Sequence, residues 1–390
     1  MRPFEIDWWP NRIVMGEGTA RRLGELVGAL GKRRAMIICG RSIGGSAVHQ
    51  TIVAALGDAY AGTFAELEMH APLPVLEAAA AQAKRLDADA IVSIGGGSAI
   101  DAGKGICLID AAGPAWRDCA LNGEAAKRGQ RLAVPRRRLA HIAVPTTTGS
   151  GSEVAPTCGL RDPSLGAKLI FRDSLLIPDI ALLDPELTVA TPARLTAASG
   201  MTAVARAVEQ LYSGRRNPVH AALGLDALRM LAISLPRSIE QPDDIEARAQ
   251  CQVAAAMSAI AANVNVSAVH AVGHVVGGKH GLQHGIAHAI LLAPAMRLML
   301  PAIGEQQRLV LTALGGDART LNADEAGRQS ADRVAALVAK LPLPARLGDV
   351  GVREDELAAI AEHASHDPIM LTAAAPASAA QILALLRSAL

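Results

Sequence analysis

AIVSIGGGSAIDAGKG, residues Ala90–Gly105, decides the architecture. Ala90–Ile94 is a short β-type run, apolar but for one serine, and Gly95 ends it. The residues that follow open a helix. Three glycines let the backbone come close to an anion, and a helix N-terminus adds free N–H groups and the positive end of a dipole. A strand-to-helix turn with no ligand would also use glycine here. The triple glycine followed by Ser98 favours a pyrophosphate, although this is not the usual G-x-G-x-x-G fingerprint.

Similar units flank this one. RAMIIC (Arg34–Cys39) is a strand ending at Gly40, and HIAV (His141–Val144) is another ending at Pro145. LPVLEAAAAQAKRL (Leu73–Leu86) is a helix between strands. Such alternation predicts an α/β domain with a doubly wound, mostly parallel sheet that binds ligands at the carboxyl ends of its strands. PTTTGSGSEVAP (Pro145–Pro156) forms a second strand-end loop, whose hydroxyls suit a nucleotide's phosphate, ribose or amide. From about residue 190, Ala/Leu-rich stretches at 193–213, 219–235, 245–262 and 378–389 predict an all-α C-terminal domain. The expected division is a nucleotide-binding domain over 1–157 and a helical substrate domain over 158–390, with 158–189 as a bridge.

At 390 residues the chain exceeds the size of a single core, which agrees with two domains. Hydrophobic residues are 51% and aromatics 2%, so the core must be built from Ala, Leu, Ile and Val. A net charge of +1 without a basic block speaks against nucleic-acid binding. No apolar run free of charge or proline reaches membrane-spanning length, so no membrane association is expected. The N-terminal stretch MRPFEIDWWP lacks a signal peptide's apolar centre. Five cysteines without a C-x-x-C pair read as reduced thiols of a cytoplasmic protein.

VHAVGHVVGGKHGLQHGIAH (269–288) carries His270, His274, His280, His284 and His288. His270 and His274 are four apart, as are His284 and His288, so each pair shares a helix face, with Gly277, Gly278 and Gly281 breaking or bending the helix between them. One histidine in such a place is more often a satisfied core residue. Five in one short stretch point to metal binding or proton transfer.

With NRIVMGEG, MHAPLP (69–74), GGGSAIDAGK, PTTTGSGSEV, DPELT (184–188), SGMTAVARAVEQLY (199–212), RNPV (216–219) and the histidine stretch in this order, the chain resembles the iron-containing (group III) alcohol dehydrogenases, and among them the maleylacetate reductases. The likeness covers nearly the whole chain. It implies a nucleotide-binding α/β domain, a helical domain, hydride transfer and a homodimer. By that likeness Gly96, Gly97 and Ser98 hold the pyrophosphate of NADH or NADPH, Asp101 belongs to the same cofactor site, Thr146, Thr147 and Ser150 line the nucleotide site, and Lys168 assists. Gly40, followed by Arg41, stands where an acidic residue would repel a 2′-phosphate, so both nucleotides are admitted.

Metal-dependent members use Asp and His four apart, plus two histidines fourteen apart. Here the first pair is Thr202 and Arg206, while His270 and His284 keep the second. Two imidazoles, a hydroxyl and a guanidinium that cannot deprotonate make a poor divalent-cation site, so no bound metal is expected. Arg206 is instead expected to polarise a substrate carbonyl or clamp a carboxylate, with His274 as proton donor and His270 and His284 sharing that work. Lys279 and Arg172 are weaker candidates for carboxylate contact. The expected activity is NAD(P)H-dependent reduction of a small oxo-acid or aldehyde, maleylacetate-like, from the breakdown of aromatic compounds. Alternatives are a metal-dependent alcohol dehydrogenase or aldehyde reductase, a dehydroquinate synthase-like lyase, and a nucleotide binder that has lost turnover.

Overall fold

The computed structural model describes residues 11–165, 167–370 and 373–390; the stretch MRPFEIDWWP lies outside them. Two compact units emerge. Among the described residues, one comprises 11–147 and 151–190, the other 148–150 and 191–390.

The first unit is built on strands β1 (Arg12–Met15), β2 (Ala35–Gly40), β3 (Tyr60–Leu67), β4 (Ala90–Gly95), β5 (Ala140–Pro145) and β8 (Ile180–Leu183), with an antiparallel hairpin of β6 (Thr157–Asp162) and β7 (Ala167–Arg172). The six-stranded sheet has the order β1-β8-β5-β4-β2-β3, and every pairing in it is parallel. Helices α1 (Leu23–Ala29), α2 (Ala47–Leu56), α3 (Leu73–Arg85), α4 (Gly97–Ala112) and α5 (Glu124–Lys127) accompany it. Alternate strand residues serve opposite faces, as the pleat requires. Met36, Ile38 and Ile91 pack with Leu73 and Leu76 of α3 and Ile106 of α4. Ile37, Val92, Ile94 and Val144 pack with Leu23 and Leu26 of α1 and Ile52 of α2. Burial on both faces explains the continuous apolar runs of β4 and β5. The strand order reverses at β2 and β4, so the carboxyl ends of these two strands, Gly40 and Gly95, flank the switch point where open α/β sheets bind ligands.

The division expected after residue 157 falls too early. β8 hydrogen-bonds between β1 and β5, so the α/β unit runs on to Ala190, and 158–189 is part of it rather than a bridge. The apolar segment Ile180–Leu183 is only four residues long, and it lies between Asp179 and Asp184–Pro185, which read as turn chemistry.

The second unit contains α6 (Ala193–Glu209), α7 (Pro218–Glu240), α8 (Ile245–Ala261), α9 (Ala268–His280), α10 (His284–Ala313), α11 (Ala323–Val338), α12 (Leu357–Ser365) and α13 (Ala379–Ser388). Its core is largely Ala, Leu, Val and Ile from these helices. Asn217, Asp244, Asn322 and Ser378 cap α7, α8, α11 and α13 with side-chain acceptors. Gly277 and Gly278 lie inside α9 and do not break it; Gly281, left-handed at φ 64°, ends it.

One exclusion needs correction. α7 and α10 are each long and apolar enough to cross a membrane, by length and composition alone. α10 continues through Pro294 and Pro301 and kinks at Ile303. Two-thirds of its most apolar window is buried within the protein, as a core helix requires.

A candidate nucleotide turn and a histidine cluster

The end of β4 is shaped for a close approach. Gly95 has φ 141°, a conformation that L side chains rarely adopt, and a Cβ there would meet the Ala99 Cβ at 3.0 Å. Gly96 is the N-cap of α4 and offers no side chain to its first N–H groups. Thr147, from the neighbouring strand end, lies 3.4 Å from where a Gly96 Cβ would stand. The register pairs Gly95 with Pro145, so the two loops leave adjacent strand ends side by side. Thr146 ties its N–H to the Gly95 carbonyl at 3.0 Å. Any residue larger than glycine would fill this cradle. Gly95→Ala is expected to cost about 1–3 kcal/mol of stability through backbone strain. An unchanged melting temperature would show that the turn does not need its glycine.

Other predicted residues hold the turn in place. Ser98 Oγ accepts the His70 N–H at 3.0 Å, and both His70 and Ala71 have positive φ, 67° and 46°. Asp101 accepts from the Ser152 hydroxyl, and from the Gly159 N–H at 3.0 Å, so its carboxylate anchors the second loop and the hairpin. Lys104, which sequence reading missed, is fully buried and donates to the Ala155 and Thr157 carbonyls at 2.9 and 2.7 Å. Lys168 on β7 has its pKa lowered by burial, with Asp101 opposing. His70 is pushed down to about 4 by burial, then by the charges of Lys168 and Arg161. Gly40 ends β2 at the switch point and its carbonyl accepts from the Ile43 and Gly44 N–H groups; Arg41 is exposed. Arg172 ends β7.

In the helical unit, α9 and α10 bring four imidazoles together. Ring centroids are 4.2 Å apart for His270 and His288, 5.7 Å for His274 and His284, and 6.2 Å for His284 and His288. His280 points elsewhere, toward Glu356, which also pairs with Lys279 at 2.8 Å. Glu209, at the end of α6, accepts the Val269 N–H at 2.7 Å, the His270 N–H at 3.3 Å and His270 Nδ1 at 2.5 Å. One carboxylate thus caps α9 and orients its first histidine. Burial lowers the His270 pKa against the raising effect of Glu209, with His274 and Arg206 adding to the lowering. Burial drives His288 well below its ordinary value, and the nearby histidines and Arg206 add to it. His274 is different: its side chain is 41% exposed, and Nδ1 meets Asp367 Oδ2 at 3.0 Å. Glu209 was visible only as part of a motif, and Asp367 had no local signal at all.

The two departures from the metal-binding pattern have definite places. Thr202 turns its hydroxyl back to the Ala198 carbonyl at 3.4 Å. Arg206 is buried, with Nη1 donating to the Ser150 carbonyl at 2.5 Å and Nη2 to the Gly149 carbonyl. Its charge bears on His270 and His288. Among the described residues no group of three or more His, Cys, Asp or Glu side chains is arranged to hold an ion. Thr202 and Arg206 thus add no strong ligand for a divalent cation to the imidazoles.

The comparisons agree with this organisation. Residues 10–185 match the family model described as iron-containing alcohol dehydrogenase, and residues 196–390 match its C-terminal counterpart. A maleylacetate reductase of Sphingobium indicum is 36% identical over 63% of this chain, and the match spans 60% of that relative's own length. A maleylacetate reductase of Rhizobium sp. is 30% identical over 94% of this chain and 93% of its own. The solved structure of a 1,3-propanediol oxidoreductase superposes with a TM-score of 0.91 at 27% identity, covering 100% of both chains. With both family models matched in chain order and a relative aligned along nearly its full length, this chain belongs to the iron-containing alcohol dehydrogenase family of oxidoreductases.

Proposed function

We propose that the protein reduces a small oxo-carboxylate of the maleylacetate type with NADH or NADPH, and does so without a catalytic metal. The observation that carries the reading is the buried Arg206 guanidinium beside the histidine cluster, where a metal-dependent relative would need a ligand. Relatives named maleylacetate reductase support the substrate class.

When bound, the nicotinamide supplies the hydride to a carbon made electron-poor by the oxo group. The chain's own residues do the rest. Gly96, Gly97 and Ser98, at the uncapped start of α4, are suited to the pyrophosphate, with Lys168 adding positive charge and Asp101 anchoring the hairpin that carries it. Thr146, Thr147 and Ser150 offer hydroxyls. Arg41, beside Gly40, leaves room for a 2′-phosphate. The negative charge that gathers on the substrate oxygen is met by a proton from His274, the exposed imidazole of the cluster, oriented by Asp367. His284 stands beside His274, with ring centroids 5.7 Å apart, and His270 is buried against Glu209. The five cysteines are all free and buried, which supports a reducing, cytoplasmic setting.

One observation favours a second reading, a metal-dependent alcohol dehydrogenase. His270 Nε2 and both ring nitrogens of His288 are buried without a hydrogen-bond partner among the described residues. Such orphaned atoms call for a water or an ion. The expected result is that oxo-acid-dependent oxidation of NADH or NADPH continues at an unchanged rate after exhaustive chelation, with iron and zinc far below one per chain. Stoichiometric metal, or activity lost to chelator and restored by iron or zinc, would select the second reading.

A further inference from the structure

The loop that carries the nucleotide-facing hydroxyls sits directly on α6. Gly149 lies so close that a Cβ there would be 1.6 Å from the Ser199 carbonyl oxygen. Farther along the same helix, Arg206 reaches back to the same loop and donates from two different nitrogens to two successive carbonyls, those of Gly149 and Ser150. A guanidinium is the side chain that can do this, because its planar fork presents several donors in fixed directions. Charge-assisted hydrogen bonds of this kind are strong, and here the one to Gly149 is buried and the one to Ser150 partly so. Thr147, next but one before Gly149, packs against Gly96 at the start of α4.

We infer that Arg206 is the positioning residue of the nucleotide loop: its guanidinium latches Gly149 and Ser150 to α6 and so presets Thr146, Thr147 and Ser150 for the cofactor. The inference rests on the nucleotide reading proposed above, and it assigns Arg206's fork to the loop's backbone rather than to a substrate carboxylate. The latch works before any ligand arrives. Its loss therefore shows first in nucleotide binding, as loosened pre-organisation does.

The test is a set of fluorescence titrations of NADH and NADPH into the wild type, Arg206→Met and Arg206→Lys, paired with hydrogen exchange at residues 148–152. Arg206→Met is expected to raise the nucleotide Kd about tenfold, the scale on which small misplacements act. Exchange of the loop amides should quicken in the same variant. Arg206→Lys should fall between, because one ammonium cannot reproduce the fork. Unchanged nucleotide affinity and loop exchange in a folded Arg206→Met, with only the substrate KM raised, would overturn the latch and return the guanidinium to the substrate. If Arg206→Met does not fold, Arg206→Lys decides, since wild-type affinity and wild-type exchange in it overturn the latch equally. A wild-type protein that binds neither nucleotide refutes the nucleotide reading itself, and does so before any variant is compared.

Discussion

Gly285→Ala is expected to lose roughly 3 kcal/mol or more of stability, the upper range for forcing atoms into a packed interior. A Cβ on Gly285 would lie 1.5 Å from the Ala198 carbonyl oxygen, 2.4 Å from its carbonyl carbon and 2.9 Å from the Thr202 hydroxyl. The first two are backbone atoms of α6 and cannot rotate away. Either α10 moves off α6 or the helix start unwinds, and both disturb His284, the preceding residue, and His288, one turn on. Gly278→Ala is the matched control. It lies exposed inside α9 with nothing within 4 Å of its would-be Cβ, so it should gain about 0.5–1 kcal/mol from helix propensity. Thermal melts of the two variants against the wild type check both signs. A Gly285→Ala protein that melts with the wild type would mean that α6 and α10 do not pack as described.

That contact also marks how far the chain's letters could be read. Ala90–Ile94 and His141–Val144 were legible as strands because burial on both faces leaves an unbroken apolar run, and the structure extends each by only a residue or so. β3 escaped because it is an edge strand whose exposed and half-buried positions admit Tyr60, Thr63 and Glu66. β8 escaped because four residues are too few to show a period. Helices α6, α7, α8 and α13 were legible from their Ala/Leu content. The histidine pairs were legible too, since i and i+4 on one helix share a face whatever the tertiary fold. Their partners were not. Glu209 meets His270 across 61 residues, Asp367 meets His274 across 93, and Arg206 meets Gly149 across 57. Nothing local in a sequence records a partner that only the packing of α6, α9 and α10 supplies. The same holds for Gly149 and Gly285: nothing in the sequence marks that α6 backbone occupies the space of a side chain at each.

His274→Ala should lower kcat by roughly 10²–10⁴-fold, the range lost when a positioned proton donor is removed. Five histidines stand in this stretch, and their surroundings set three of them aside. His288 is fully buried, and His270 is sealed with Nδ1 committed to Glu209, so neither can reach a substrate oxygen without the helices parting. His280 faces Glu356, away from the cluster. His274 is substantially exposed and still anchored, with Nδ1 3.0 Å from Asp367 Oδ2. Burial alone would push the Asp367 carboxyl up, but the hydrogen bond with His274 holds it below its usual range, so Asp367 stands as an anion beside the ring. Asp367→Asn keeps the shape and removes the charge. It should lower kcat by less than His274→Ala does, with the nucleotide Kd unchanged in both. That split separates this role from the Arg206 latch, whose loss acts on nucleotide binding first. Steady-state kinetics across a panel of oxo-acids, with nucleotide titrations on the same preparations, make the comparison. If His274→Ala retains kcat within about threefold of the wild type, the proton travels by another route, and His284, the cluster's remaining imidazole, becomes the next substitution to make.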